Sequence, residues 1–464
     1  MKASKKLLSL LLALVLACSL AAPALATENI LLIAPNPNAN KDVVVYYTND
    51  IHTYIDQDIT YSLVAALKDT TPNALLVDAG DAIQGTAYGS LDKGKTIIKL
   101  MNAAGYDLAT LGNHEFDYDM DGAMNAIEWA DFDYVSANFY HEKNGVKGET
   151  VLDAYKVFEV AGKKIAFIGI TTPESFTKST PAYFQDNAGN YIYGISAEEA
   201  LYADVQKAID AAAAEADYVI ALGHLGVDAV SVPNTSKDVI ANTTGLDAFI
   251  DGHSHTTMAA EEVTDKAGNT VILTQTGEYL DAVGKMTIAA DGTITTELLG
   301  ADAFAEVTPD ADVAAIEDAW LADVDTKLGV VIGSIEDTFK NYDADGNRLV
   351  RKQETNTGDF CADALYYLFD NMDMDVDFAI MNGGGIRNKD ITGELTYKVC
   401  KEIHTFGNVA CLQTGTGQQM LDALEWGAKA ASDVENGGFL HVSGLKYTID
   451  TSIPSTVQAD DKGV

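Results

Sequence analysis

Five of the chain's eight histidines, His52, His114, His224, His253 and His255, stand in short polar stretches that each follow an apolar run. Asp50, Asp78, Asp81, Asn113, Asp117 and Asp251 lie beside them, in TNDIH, DAGDAIQGT, LGNHEFDYD, ALGH and DGHSH. Imidazole mixed with carboxylate and amide oxygen suits first-row divalent ions such as Zn²⁺ or Mn²⁺. With no cysteine nearby, the set points to a catalytic metal pair rather than a closed structural zinc site. Each piece taken singly reads as ordinary structure: a turn beside a solvated His52, caps at Asp78 or Asp81, a helix start at Asn113, a structural His224. In DGHSH the alternation turns His253 and His255 to the same side of an extended loop. Five such pieces in succession argue for one assembled site.

The elements that must position them are legible as apolar runs. VVVYYTND, ALLVDAGD, DLATLGNHE, YVSANF, KIAFIGIT, YVIALGH and LDAFIDGHSH read as buried strands ending in polar residues, with stretches of helical period between several of them. Such alternation predicts an α/β domain whose chemistry gathers where strands give way to loops. Its second half turns to hairpin-like pieces in VILTQTGEYLDAVGKMTIAADGTITTELL, with a turn signal at Asp291 and Gly292. The expected division is a catalytic domain over 42–307, a linker over 308–330 carrying a helix from Asp310 to about Leu328, and a second α/β region over 331–464.

The 464 residues suffice for two or three domains of roughly 100–200 residues. A net charge of −39, from 69 acidic against 30 basic side chains, excludes a nucleic-acid polymer as partner. An anionic substrate then needs a local positive centre, which bound metal ions supply. Residues 1–26 combine Lys2, Lys5 and Lys6, an apolar run from Leu7 and small residues at Ala24 and Ala26, the pattern of a secretory signal cut after Ala26. A short buried helix, or a lipoprotein-type cut before Cys18, are the alternatives. No later stretch is long and apolar enough to span a membrane. Cys361, Cys400 and Cys411 form no disulfide framework; they read as buried apolar thiols, with a Cys400–Cys411 bridge as the other option. Nothing in the chain signals an oligomeric state.

In order and content these motifs, followed by NGGGIR and FGN, resemble the exported 5′-nucleotidase and UDP-sugar hydrolase family of calcineurin-type metallophosphoesterases, from about Val43 to the C-terminus. The resemblance implies a four-layer α/β/β/α metallophosphoesterase domain and a C-terminal α/β nucleotidase domain. It also implies two divalent ions (Zn, Mn or similar), one held by Asp50, His52, Asp81 and His255, the other by Asp81, Asn113, His224 and His253, with Asp81 bridging. Some relatives carry Gln or Asn where this chain has His255. Two ions about 3.5–4 Å apart share a water, lower its pKa and align it for in-line attack on phosphorus. His114 resembles the family's catalytic histidine, with Asp117 fixing its tautomer; Asp78 and Asp251 would support from behind. Arg351, Arg387, Phe406 and Asn408 resemble the family's substrate-binding residues.

The implied reaction is removal of phosphate from small-molecule 5′-nucleotides. Cyclic-nucleotide phosphodiesterase and UDP-sugar pyrophosphatase activities are the nearest alternatives, and a non-catalytic nucleoside-binding surface protein is one of a different class. Departures are Gln353, where some relatives have arginine, Thr405 in place of the proline before FGN, and an end at Val464 ahead of the family's second base-stacking aromatic. The second domain is therefore expected to be incomplete, a fragment in which KYTID (446–450) forms a strand awaiting partners.

Overall fold

The computed structural model describes residues 41–431 and 434–457. The predicted export signal and Cys18 lie outside them. Among the described residues two six-stranded sheets dominate. The first contains β1 (Val43–Thr48), β2 (Ala74–Asp78), β3 (Leu108–Thr110) and β4 (Asp133–Val135), successively parallel. Beyond β4 come a small three-stranded sheet of β5 (Phe139–Lys143), β6 (Val146–Thr150) and a later β9 (Tyr193–Ile195). The second large sheet contains β7 (Tyr155–Val160), β8 (Lys163–Thr171), β10 (Tyr218–His224), β11 (Ala248–Ile250), β12 (Thr257–Thr264) and β13 (Thr270–Thr276). Its centre, β13-β11-β10-β8, is parallel, and β12 and β7 close its edges antiparallel. β14 (Ala282–Ile288) and β15 (Ile294–Gly300) then return to the first sheet as a hairpin turned at Asp291 and Gly292.

Strand periodicity explains why the sheets stack. Side chains alternate between the two faces of a strand. Val43, Val45 and Tyr47 of β1 meet Ile165 and Phe167 of β8 and Ile220 and Leu222 of β10 in one inter-sheet core. Tyr46 faces outward to helices Tyr61–Thr70, Lys95–Ala104 and Asp119–Trp129. On the other side Ala166, Ile168, Val219 and Ala221 face helix Glu198–Ala213. The result is the four-layer α/β/β/α arrangement. Tyr47 ties the layers, its hydroxyl 2.6 Å from Thr274 Oγ1 on the opposite sheet.

Helix Ala311–Leu328, capped by Asp310, is no free tether. Val313 and Val324 join the first core, Glu317 accepts from Ser62 N at 3.0 Å, and Trp320 Nε1 donates to Tyr88 O at 3.0 Å. The region after it has two short sheets among the described residues: β16 (Val331–Phe339) with β18 (Ile391–Thr396), and β17 (Ala379–Asn382) with β19 (Leu440–Ser443). Helices Asn356–Asp370, Tyr397–Ile403 and Gly417–Ala428 accompany them around a small core of Val350, Cys361, Ala362, Met381, Ile386 and Ile403.

Two expectations need correction. KYTID is not a strand: pairing ends at Ser443, and Gly444, at φ +83°, turns the chain away. The three described cysteines are free, and Cys411 is exposed rather than a buried thiol. The piece around VILTQT belongs to the second sheet, where β13 closes a hairpin with β12, and β14 and β15 make another in the first sheet. Among the described residues no helix is long and apolar enough to cross a membrane.

Candidate metal centre

The parallel strands of both sheets end at the same edge of the sandwich, and their loops bring the chemistry-bearing residues together. Asp50 and His52 follow β1, Asp81 follows β2, and Asn113 and His114 follow β3; His224 ends β10, and His253 and His255 follow β11. Asp50, His52, Asp81, His253 and His255 all have positive φ, between 49° and 77°. Side chains rarely adopt that backbone, at a cost of about 1–3 kcal/mol each, and it persists only where the surroundings over-determine it. They do here. Gly252 admits the approach because a Cβ on it would lie 2.8 Å from His224 Nδ1 and 2.9 Å from Asp50 Oδ2. At Gly112 a Cβ would lie 2.1 Å from Asp81 Oδ1.

Potential ligand atoms of Asp50, His52 and His255 lie within 4.8 Å of one another, as do those of His52, Asp81 and His114, and those of Asp81, His224 and His253. Asp81 Oδ2 stands 3.8 Å from His52 Nε2 and 3.0 Å from His224 Nε2, between the two halves. Asp50 Oδ1, Asn113 Oδ1 and His224 Nε2 are buried without a hydrogen-bond partner. Three orphaned donors in one place are costly unless a ligand completes them. His52 Nε2 and His255 Nε2 lie 3.2 Å apart, two imidazole nitrogens directed at a common point. This donor set fits divalent cations.

Each of the five histidines is held by its other ring nitrogen. His52 Nδ1 bonds Gln84 O at 2.8 Å and His224 Nδ1 bonds Ala79 O at 2.7 Å. His253 Nε2 bonds Glu174 at 2.7 Å, His255 Nδ1 bonds Glu278, and His114 Nδ1 bonds Asp117 at 2.5 Å. Such partners fix tautomer and ring orientation, leaving the second nitrogen free to bind. Asp78 accepts from Thr48 and Gly80 N, and Asp251 from Leu225 N, Gly226 N and Gln275, so both brace the loops from behind. Glu115 does the same for Asp81 N, Ala82 N and Gly112 N. Glu174, Glu278 and Glu115 escaped the sequence reading. Glu174 and Glu278 lie 79 and 23 residues from the histidines they orient, outside any local motif.

The electrostatics ask for cations. Burial disfavours the Asp50 carboxylate, yet the imidazoles of His255 and His224 outweigh it and hold the carboxyl down at about 2. Burial likewise disfavours a charged His224, but Asp81 and Asp50 raise it to about 10. The carboxylates thus require positive charge at that spot, which a metal ion supplies equally well once the proton leaves. Burial, followed by the charge of Asp81, pushes Glu115 up to about 7.

The second domain faces this cluster. Phe406 lies with its ring 5.4 Å from that of His114, and Arg387 Cζ is 5.6 Å from the Phe406 ring. Gln84 Nε2 donates to Thr405 Oγ1 at 2.9 Å, so the hydroxyl at the unusual Thr405 has an interdomain partner. Arg387 Nη2 and Arg351 Nε are buried without partners. Burial, reinforced by the charges of Arg348 and Arg387, pushes Arg351 down to about 9. Three guanidinium groups so placed favour an anion among them. Arg348, absent from the sequence expectation, pairs with Glu278. It stands in RLVR, one helical turn before Arg351, and that repeat was the available signal. Asn408 is exposed.

Comparison with known proteins agrees with this architecture. Residues 43–257 match the family model for calcineurin-like phosphoesterases, and 331–460 match that for the 5′-nucleotidase C-terminal domain. A trifunctional nucleotide phosphoesterase protein, YfkN, of Bacillus subtilis is 29% identical over 89% of this chain, which spans 30% of that relative's length. A 5′-nucleotidase of Vibrio vulnificus is 27% identical, over 89% of this chain and 80% of the relative. The crystal structure of a 5′-nucleotidase precursor from Thermus thermophilus superposes with a TM-score of 0.72 at 25% identity, covering 89% of this chain and 83% of that one. Both family models match in the same order as the two sheet-bearing regions, a calcineurin-like phosphoesterase followed by a 5′-nucleotidase C-terminal domain, the pattern of a phosphoric ester hydrolase.

Proposed function

We propose that this chain is an exported two-metal hydrolase that removes phosphate from 5′-nucleotides. The observation that carries the reading is the set of buried, unpartnered donors, Asp50 Oδ1, Asn113 Oδ1 and His224 Nε2, converging around Asp81 opposite unpartnered guanidinium nitrogens of Arg351 and Arg387. Asp50, His52, Asp81 and His255 would hold one ion, and Asp81, Asn113, His224 and His253 the other. When bound, such ions lower the pKa of water and neutralise phosphate oxygens.

The chain's own residues supply the rest. Arg351 and Arg387 grip the anion and orient the phosphorus toward Asp81. Asp117 accepts the Nδ1 proton of His114, so Nε2 is the nitrogen turned to the cleft. As an imidazolium protonated on both nitrogens, a form that the Asp117 carboxylate stabilises, His114 donates from Nε2 to the phosphoryl or leaving oxygen. Phe406, beside His114, offers the face on which a base stacks. Asn408, exposed two residues beyond Phe406, would meet the base edge. Export is supported by the residue pattern of 1–26 and by the Thermus neighbour being a 5′-nucleotidase precursor.

The test is phosphate release from AMP and from an aryl phosphate by the chain from Ala26 onward, with added Mn²⁺ or Zn²⁺ and then with EDTA. Release from both, abolished by EDTA, is expected. Release from the aryl ester alone would mean that the base pocket does not work, and release from neither overturns the reading. The trifunctional name of the Bacillus relative gives a second reading specific support. A cyclic nucleotide or UDP-glucose hydrolysed faster than AMP would establish it.

A further inference from the structure

The two histidines of the DGHSH loop are oriented by carboxylates in different company. Glu174, partner of His253, has Lys178 of its own short helix 3.7 Å away. Glu278, partner of His255, receives instead a buried guanidinium from the other domain, that of Arg348. Both Arg348 Nη2 and His255 Nδ1 address the same oxygen, Glu278 Oε2, which explains their separation of 2.9 Å. Two donors sharing one acceptor leave His255 with its lone pair on Nε2, 3.2 Å from Asp50 Oδ1 and 3.2 Å from His52 Nε2.

We propose that Arg348 is a positioning residue through which the second domain tunes cation affinity at the Asp50–His52–His255 position, weakening it while Arg348 is paired with Glu278. This rests on the reading of those three residues as metal ligands. An unshared Glu278 carboxylate adds negative charge beside the position and strengthens the Nδ1–H bond, making Nε2 a better donor. A guanidinium on the same oxygen cancels that charge and competes for that lone pair. At the His224–His253 half, among the described residues, the cation beside Glu174 is Lys178 of the first domain. Coupling is reciprocal. A cation at the first position therefore disfavours the Arg348–Glu278 pair and releases the guanidinium toward the cleft it lines with Arg387.

The experiment titrates the metal-free full chain with Mn²⁺ or Zn²⁺ in competition with a chromophoric chelator. Wild type is compared with Arg348→Gln, Glu278→Gln and Glu174→Gln. Wild type should bind two equivalents. Arg348→Gln should tighten one of them about tenfold, within the usual range of coupling between sites. Glu278→Gln should weaken that same equivalent by about 10–100-fold, as loss of an orienting carboxylate does, and Glu174→Gln should weaken the other. Opposite signs from the two members of one ion pair separate charge coupling from a structural role, in which both substitutions would weaken binding. Arg348→Lys retains the charge and should stay close to wild type, so a misfolded Arg348→Gln protein leaves a second measurement. Two equivalents in wild type with no tightening in Arg348→Gln, or with tightening in Arg348→Lys, overturn the coupling and leave the metal reading standing. No metal bound by wild type overturns both.

Discussion

The two domains solve different problems with different amounts of structure. In the first, strand ends of two stacked sheets hold five site residues at positive φ, with three cores above, between and below the sheets. The second, among the described residues, rests on two strand pairs and one small core, and leaves Tyr367, Leu421 and Val409 exposed. Metal coordination tolerates little displacement, and the candidate ligands sit on the heavily cross-braced body. On the proposed reading substrate is gripped by longer side chains, for which guanidinium and phenyl groups on a lighter frame suffice. If so, loss of metals and loss of nucleotide recognition should be separable by mutation.

The largest effect should come from the residue between the two halves. Asp81→Ala is expected to lose both metal equivalents, read by elemental analysis of dialysed protein, and to abolish turnover; retention of both would break the comparison at its base. His114→Ala, in the same rigid domain, should cut kcat by about 10²–10⁴-fold while metal content stays as in wild type. A parallel loss of metal would show that His114 is a ligand rather than a proton donor. Gly252→Ala should lower stability by about 1–3 kcal/mol, through the steric conflict with His224 and Asp50, and should weaken metal binding. Urea unfolding of the metal-free protein measures the first effect, and an unchanged midpoint would mean that the loop yields more easily than its packing implies. In the lighter domain, Phe406→Ala should raise KM for AMP about tenfold, the scale of one base–aromatic stack, without changing metal content or the kinetics with ribose 5-phosphate. Equal losses on both sugars' phosphates would assign Phe406 to support of His114 instead of to the base.

Local patterns made the candidate metal ligands legible. Each apolar run that ends in Asp, Asn or His is a buried strand opening into a loop, and strand polarity alone places those loops at one edge. The helix after Asp310 was legible for a similar reason, since its cap and its period lie within one segment. Reading failed where the decisive contact was distant or absent. KYTID has strand composition, but among the described residues no neighbour pairs with it, and pairing, rather than composition, makes a strand. Cys411 was read as buried from its residue type alone, and the chain carries it to the surface.

Residue type, order and spacing thus determined the class of chemistry, the α/β alternation and which imidazoles and carboxylates would meet, because those follow from short-range periodicity. Only the tertiary structure decided which nitrogen of each histidine is free, that Glu174 and Glu278 orient one each, and that Arg348 reaches across from the second domain to share Glu278. Those choices depend on contacts between segments dozens of residues apart, brought within hydrogen-bond reach by the stacking of two sheets and the docking of a second domain, and no local pattern records them.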